Sequence, residues 1–261
     1  MKISVITVTY NSEKTLEDTL KSVISQSYSN VEHVIMDGGS TDATLRILDS
    51  YRENLSIVVS EPDDGIYDAY NKALNYASGD IIAILNSDDV FYDNNVLDLV
   101  ASEFASTASD IVYGDLALVH EDNLSSVVRF WKSTKFIIGS FKNGWHPPHP
   151  SFFVRRSVYQ KHGHFDLSLP VSADFELMLR FMEVHKCVAV YVPQILTRMR
   201  VGGHSQSFWN ILKGGSSILQ SFKKNGIKVQ PVLYFANRYF TKLKQVFFSK
   251  NTAIKEMDFH G

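Results

Sequence analysis

Residues 80–90 read DIIAILNSDDV. Ile81, Ile82, Ala83, Ile84 and Leu85 form an unbroken apolar run between Gly79-Asp80 and Asn86-Ser87. Its length and β-branched content predict a strand buried on both faces, as in a parallel sheet. Two adjacent carboxylates, Asp88 and Asp89, follow at once. In open α/β sheets, ligands lie just beyond the carboxyl ends of the strands. A hard cation such as Mg²⁺ or Mn²⁺ takes one or two carboxylates and completes its shell with substrate phosphate oxygens. The competing reading is an Asp pair that caps the next helix or closes a turn.

Upstream, strands and helices alternate. Lys2 to Thr9, Val31 to Met36 and Ile57 to Val59 are short β-branched runs. Leu16, Leu20, Val23 and Ile24, then Leu45, Ile47 and Leu48, then Ile66 to Tyr76 carry helical spacing. Four strands separated by helices predict a parallel sheet with right-handed crossovers. Downstream the order changes. A helix over Val96 to Phe104 precedes strands at Asp110 to Val119 and Val127 to Phe130, then a loop from Phe141 to Pro150. Ser151 to Val154 reads as a strand, Arg156 to Lys161 and Ser172 to Val184 as helices, Val188 to Val192 as a last strand, and Leu196 to Ser205 as an extended segment.

The totals set limits. A single cysteine, Cys187, excludes an intramolecular disulfide and any cysteine metal cluster, and fits a reducing compartment. The N-terminus lacks the pattern of a secretory leader. No apolar run approaches the roughly 20 residues that span a bilayer. These features predict a cytoplasmic protein. The net charge of −2 hides an asymmetry. Residues 1–205 hold 17 Lys and Arg against 26 Asp and Glu, a balance of −9, whereas 206–250 hold eight basic residues and no acid. That tail interleaves its basic residues with Phe208, Trp209, Phe222, Tyr234, Phe235, Tyr239 and Phe240, which predicts two amphipathic helices broken near Asn225-Gly226 and Pro231. A basic polar face opposite an aromatic face suits the surface of an anionic membrane leaflet. The alternative is packing on the catalytic body or on a second subunit of a homo-oligomer. The acidic body argues against nucleic acid as a partner.

The loop after the first strand, Val8-Thr9-Tyr10-Asn11, contains no glycine. That disfavours a Rossmann dinucleotide fold, a P-loop and a sugar nucleotidyltransferase, all of which bring backbone close to phosphate through glycines. Asp37, at the end of the second strand, can accept a hydrogen bond from a nucleobase N–H or cap the helix that follows. Asp42 is the better cap.

Taken in order, VITVTYN, VIMDGGSTD, DDGIYDAYNKAL, SGDIIAILNSDD and SADFELMLRF resemble family 2 glycosyltransferases of the GT-A fold, over roughly residues 2–205. The likeness is nearest to bacterial enzymes of surface polysaccharide synthesis. It implies an α/β, Rossmann-like sheet of mixed direction with helices on both faces. It also implies a nucleotide-sugar half over about 1–110, an acceptor half over about 111–205 and a separate helical tail over 206–261. By that resemblance Val8, Thr9 and Tyr10 border the base and ribose, Asp37 recognises the base, and Asp63, Asp64 and Gly65 close its other side. Lys72, on the helix that follows, either neutralises phosphate or lies on a solvated helix face. In Asn86-Ser87-Asp88-Asp89 the family's first acidic position is Asn. Asp89 is implied as direct ligand of Mn²⁺ or Mg²⁺, and Asp88 as ribose contact or supporting ligand.

The resemblance further makes Asp174 the general base of an inverting transfer, at a helix start whose dipole favours the carboxylate. The alternatives are that Asp174 is an N-cap, or that Glu176 is the base. His204, after Gly202-Gly203, is a candidate third metal ligand or part of a lid over the donor, from which Arg198 and Arg200 reach phosphates. The implied reaction moves a sugar from a nucleotide diphosphate, UDP before GDP or dTDP, to a hydroxyl of a glycan or lipid-linked acceptor. Its rivals are a non-catalytic nucleotide-sugar scaffold and nucleotidyl transfer.

Overall fold

The computed structural model of the chain describes residues 1–202, 208–241, 243 and 245. Strand β4 (Ile81–Ile84) lies beside β1 (Ile3–Thr9) in a nine-stranded sheet. From β1 the chain passes through α1 (Leu16–Ile24) to β2 (Val31–Asp37), then through α2 (Thr44–Ser50) to β3 (Ile57–Ser60). It returns through α3 (Ile66–Tyr76) to place β4 on the other side of β1, so that β3, β2, β1 and β4 run parallel in that order. Ile6, Val8, Ile82 and Ile84 face one core, which α3 helps to close. Ile3, Val5, Ile81 and Ala83 face the other, against α4 (Val96–Ser106). The apolar runs are continuous because both faces are covered.

Beyond β4 the sheet becomes mixed. β4 pairs antiparallel with β8 (Phe152–Arg155), β8 antiparallel with β6 (Ile111–His120), and β6 antiparallel with β7 (Asn123–Trp131) but parallel with β9 (Ala189–Arg200). The segments expected separately at 188–192 and from 196 are thus one strand. Its register against β6 shifts between Tyr113 and Leu116, around Pro193. Proline lacks the N–H that a ladder needs, and the irregularity accommodates it. A strand not anticipated, β5 (Val90–Phe91), pairs with β9, and its two residues are too few for periodicity to reveal. After α5 (Arg156–His162), the helix expected over 172–184 is α6 (Ala173–Leu179) followed by a widened π turn, Arg180–Val184. Arg180 is drawn to the side there by Glu176 and by the carbonyls of His162 and His164.

The basic C-terminal stretch begins with α7 (Phe208–Lys224) and continues, after Gly226 and the residues that follow, as helix over 231–241. These helices dock on α6. Phe222 and Tyr234 are completely buried, with Phe222 edge-on to Phe175 at 5.5 Å between ring centres. Ser172 Oγ bonds Ser217 Oγ at 2.6 Å, Asn225 donates to Glu176 Oε1 at 3.0 Å, and Lys224 pairs with Asp166. Val232, Leu233, Tyr239 and Phe240 remain exposed. Among the described residues no helix is long and apolar enough to cross a membrane.

Two stability measurements follow. Phe222→Ala should lower unfolding free energy by about 3–5 kcal/mol, as for other buried Phe deletions. A urea-unfolding loss below about 1 kcal/mol would show that α7 does not belong to the core. Buried Glu32 is the second case. Burial alone would raise its pKa, but hydrogen bonds from Lys2, Ser4 and Ser78 pull it from 4.5 down to about 2. Its contribution is therefore complete above pH 4.5 and is lost as pH falls toward 2. Glu32→Gln should reduce stability at neutral pH by about 1–2 kcal/mol, since its Lys2 partner is solvent-screened, and flatten that acid limb. An unchanged acid limb would refute the assignment.

Candidate active site

The strand order reverses between β1 and β4, which opens a crevice at their carboxyl ends. Ser12 Oγ and Ser87 Oγ bridge its two lips at 2.8 Å. In the turn after β4, the Asp89 N–H donates to the Asn86 carbonyl at 3.1 Å, and Asn86 Nδ2 donates to Asp89 Oδ2 at 2.9 Å. Thr19 Oγ1 donates to the Asp89 carbonyl at 2.7 Å. Arg200 arrives from the end of β9 and donates to the Asp88 carbonyl at 2.6 Å, to the Glu121 carbonyl at 3.0 Å and to Asp18 Oδ2 at 2.5 Å. Arg200 is therefore a buried brace of the acid turn, which corrects the expectation that it reaches phosphate from a lid. Arg198 lies over the Tyr92 ring at 4.4 Å.

Asp89 is wholly buried, and its Oδ1 has no hydrogen-bond partner. Burial, then the adjacent Asp88 charge, push its pKa well above the usual carboxylate range, against the opposing hydrogen bond from Asn86 and the backbone N–H and charge of Arg200. An orphaned buried carboxylate oxygen is costly unless a cation completes it. Oxygen donors from Asp89 and its half-buried neighbour Asp88 fit a hard ion such as Mg²⁺ or Mn²⁺. Among the described residues no three His, Cys, Asp or Glu side chains converge on one point, so most of such an ion's shell would come from substrate and water. His204 lies outside the described residues.

Across the crevice, two tyrosines one turn apart on α3 connect this turn with Asp174. Tyr70 OH donates to Asn86 Oδ1, and Tyr67 OH donates to Asp174 Oδ1 at 2.9 Å. Burial, then the Asp174 charge, raise the Tyr67 phenol well above its usual range, so it remains a proton donor. Asp174 Oδ2 has no donor among the described residues. The N-cap position of α6 belongs to Ser172, so Asp174 is not the cap. Glu176 points elsewhere, buried and held by Arg180 and Asn225. His149 packs 6.1 Å from Tyr70 and 5.8 Å from Phe165, between ring centres. Burial lowers its pKa, with the Asp174 charge pulling the other way.

The nucleotide-side residues divide. Tyr10 is exposed rather than in the core, and Gly38 lies between its ring and Asp63: a Cβ there would sit 2.4 Å from Asp63 Oδ2 and 3.4 Å from Tyr10 Cδ2. The absence of a side chain at Gly38 lets the Asp63 carboxylate pack against its backbone, with the Tyr10 ring close by. Asn11 takes a left-handed φ of 49° and accepts from the Thr41 N–H at 2.9 Å, so asparagine does the turning that glycine does elsewhere. The Val8 side chain belongs to the core, which leaves only its backbone for a ligand. Thr9 is buried with Oγ1 unpartnered. Asp37 is buried beneath its own loop, where Oδ2 accepts from Gly39, Ser40 and Ser60 and Oδ1 accepts from Ser40 Oγ. It holds the turn after β2 in shape from within. Gly65 opens α3 with φ 114°, and Asp64 beside it is exposed. Lys72 Nζ is held by the Pro62 carbonyl, Asp68 and Glu61, which clamps the loop ahead of α3.

Sequence reasoning missed Tyr67, Tyr70 and the brace formed by Arg200. The signal for the tyrosines was present in DDGIYDAYNKAL, where an i, i+3 pair shares one helical face. The Arg200 contact joins residues 112 apart and has no local signature.

Residues 4–163 match the family model described as glycosyl transferase family 2. An uncharacterized glycosyltransferase of Mycobacterium tuberculosis is 33% identical over 180 residues, 68% of each chain. The Escherichia coli UDP-Glc:alpha-D-GlcNAc-diphosphoundecaprenol beta-1,3-glucosyltransferase WfgD is 31% identical over 123 residues, 47% of this chain and 48% of that protein. Among solved structures, the mannosyltransferase PcManGT of Pyrobaculum calidifontis, in complex with GDP-Man and Mn²⁺, superposes with a TM-score of 0.66. It is 21% identical, and the match covers 91% of this chain and 69% of that one. The chain thus belongs to glycosyl transferase family 2 and is a glycosyltransferase with the GT-A fold.

Proposed function

We propose that this glycosyltransferase inverts configuration as it moves a sugar from a nucleotide diphosphate to a hydroxyl of a glycan carried on a lipid, in the assembly of a surface polysaccharide. The observation that carries this reading is the Oδ1 of Asp89, without a hydrogen-bond partner among the described residues, on a buried carboxyl group at the strand end where the donor diphosphate would lie. Mg²⁺ or Mn²⁺ held by Asp89 and Asp88 would offset the charge that gathers on the leaving diphosphate. Tyr10 and Asp63, beside Gly38, are the groups that would meet the base. UDP is the favoured nucleotide, in keeping with the donor in the name of the Escherichia coli relative. The lipid-linked acceptor follows the same relative.

Asp174 is the general base. Tyr67 fixes its Oδ1, and Oδ2 takes the proton of the acceptor hydroxyl. The acceptor oxygen bonds to C1 on the face opposite the diphosphate as the C1–O bond to the diphosphate breaks. The exposed Val232, Leu233, Tyr239 and Phe240 and the basic residues around them hold the enzyme against the cytoplasmic leaflet.

Donor hydrolysis over a panel of UDP-, GDP- and dTDP-sugars with Mn²⁺ tests the class, and no turnover with any donor would leave a non-catalytic binder. Asp174→Asn should lower kcat by about 10²–10⁴-fold with donor affinity retained. Full activity in that variant, with loss in Glu176→Gln, would move the base to Glu176. Asp89→Ala should abolish the Mn²⁺ dependence of UDP binding in calorimetry, and an unchanged Mn²⁺ titration would dismiss the metal assignment.

A further inference from the structure

A basic pocket opens beyond the loop that carries His149. It lies between the end of β7, residues 144–146 and the C-terminal helix, and Arg129, Trp131, Lys132, Trp145, His146 and Arg238 line it. Arg129 is half-buried, with its guanidinium 5.9 Å from the Trp131 ring centre. Arg238 faces the same space from the helix over 231–241. Its bond to Tyr234 OH, at 3.3 Å, is to a neutral group. Neither arginine pairs with a carboxylate among the described residues. The Lys132 charge is felt by Asp115 on β6.

Two like charges brought together under partial burial are unfavourable by themselves. In keeping with this, burial and then the Arg238 charge lower the Arg129 pKa. The packing nevertheless enforces the approach. Gly144, at φ 81°, lets the helix sit directly on the loop, where a Cβ would meet the Arg238 nitrogen at 2.8 Å and the Tyr234 carbonyl at 3.1 Å. Guanidinium groups are planar forks that match phosphate oxygens.

The pocket adjoins the proposed site of transfer. His146 packs edge-on against Phe175 at 5.5 Å, and Phe175 follows Asp174 in the chain. Both elements that frame the pocket also expose apolar side chains. Ile137 and Ile138 follow β7 and are 72% and 65% exposed, and Tyr239 and Phe240 on the helix are 62% and 60% exposed. Phe136 stacks on Trp145 and so joins the first pair to the pocket wall.

We propose that Arg129 and Arg238 form a subsite for the phosphate groups of an amphiphilic acceptor, a glycan joined through a diphosphate to an apolar chain that runs out over Ile137, Ile138, Tyr239 and Phe240. The role of the ligand as acceptor rests on the glycosyl-transfer reading above; the anion site itself does not.

The test is calorimetry on the full chain with saturating UDP and Mn²⁺, so that the donor site is filled. The probes are a short-chain alkyl hexosyl diphosphate, the matching alkyl hexoside without phosphates, pyrophosphate alone, and vesicles of phosphatidylglycerol or phosphatidylcholine. The wild type should bind the alkyl hexosyl diphosphate at least about tenfold more tightly than the neutral hexoside. Arg129→Gln and Arg238→Gln should each weaken the former by about tenfold and leave the latter unchanged. Arg129→Lys and Arg238→Lys keep the charge and should retain part of the preference, which provides a reading where a glutamine variant fails to fold.

Equal affinity of the wild type for charged and neutral probes overturns the proposal. Pyrophosphate binding as tightly as the alkyl hexosyl diphosphate assigns the pocket to free phosphate and also overturns it. An effect of the substitutions confined to phosphatidylglycerol vesicles makes the arginines a headgroup contact and likewise overturns it. Arginine-dependent binding in a chain that transfers no sugar upholds the subsite and removes only the transfer reading.

Discussion

The structure is organised around a carboxylate that is held where it does not want to be ionised. Asp89 sits in a buried turn at the end of β4 with Oδ2 bonded to Asn86 and Oδ1 without a hydrogen-bond partner among the described residues. Elements distant in the chain combine to keep it there. Thr19 from α1 holds its carbonyl, Arg200 from the end of β9 braces the neighbouring peptide, and Tyr70 from α3 fixes Asn86. Such an arrangement resists collapse only if several packed elements over-determine it. The mixed sheet performs that task, since β1 and β4 set the turn's position and β9 reaches back to lock it.

The acids of the body differ in what surrounds them, and that difference separates chemistry from construction. Glu32, Asp37, Asp115, Glu176 and Glu183 are engaged by backbone N–H groups, hydroxyls or cations of the fold. They stabilise loops and helix ends and have little left to offer a ligand. Asp89 keeps an unpartnered oxygen, and Asp174 keeps one oxygen without a donor among the described residues. The pair Tyr67 and Tyr70 holds these two acids on opposite sides of one crevice. A phenol buried beside a carboxylate retains its proton and acts as a fixed donor, which orients the acid without neutralising it.

The C-terminal helices are part of this construction. Phe222 and Tyr234 close the core around Phe175, and Glu176 takes hydrogen bonds from both Arg180 and Asn225. The helix that carries Asp174 is therefore supported from behind by a stretch whose composition reads as a separate basic tail. The same docking leaves Arg238 facing Arg129 and turns an apolar helical face outward. One packing event thus both stiffens the crevice and creates a charged pocket beside it.

Hydrophobic period and strand-end acids made the α/β alternation, the buried run of β4 and the Asp88-Asp89 pair legible in the linear chain, because these signals are local. Those residues together with Asp37 and Asp174 also carried the family resemblance. Local signals do not say which way a side chain turns. Asp37 and Lys72 look alike in sequence to ligand-facing groups, yet one is enclosed by its own loop and the other clamps a neighbouring one. Tertiary structure alone decided that Arg200 braces the acid turn, that Pro193 interrupts one strand rather than separating two, and that the basic tail begins as core. The physical reason is the same in each case. These outcomes depend on contacts between residues far apart in the chain, and such contacts exist only once the sheet has brought their elements together.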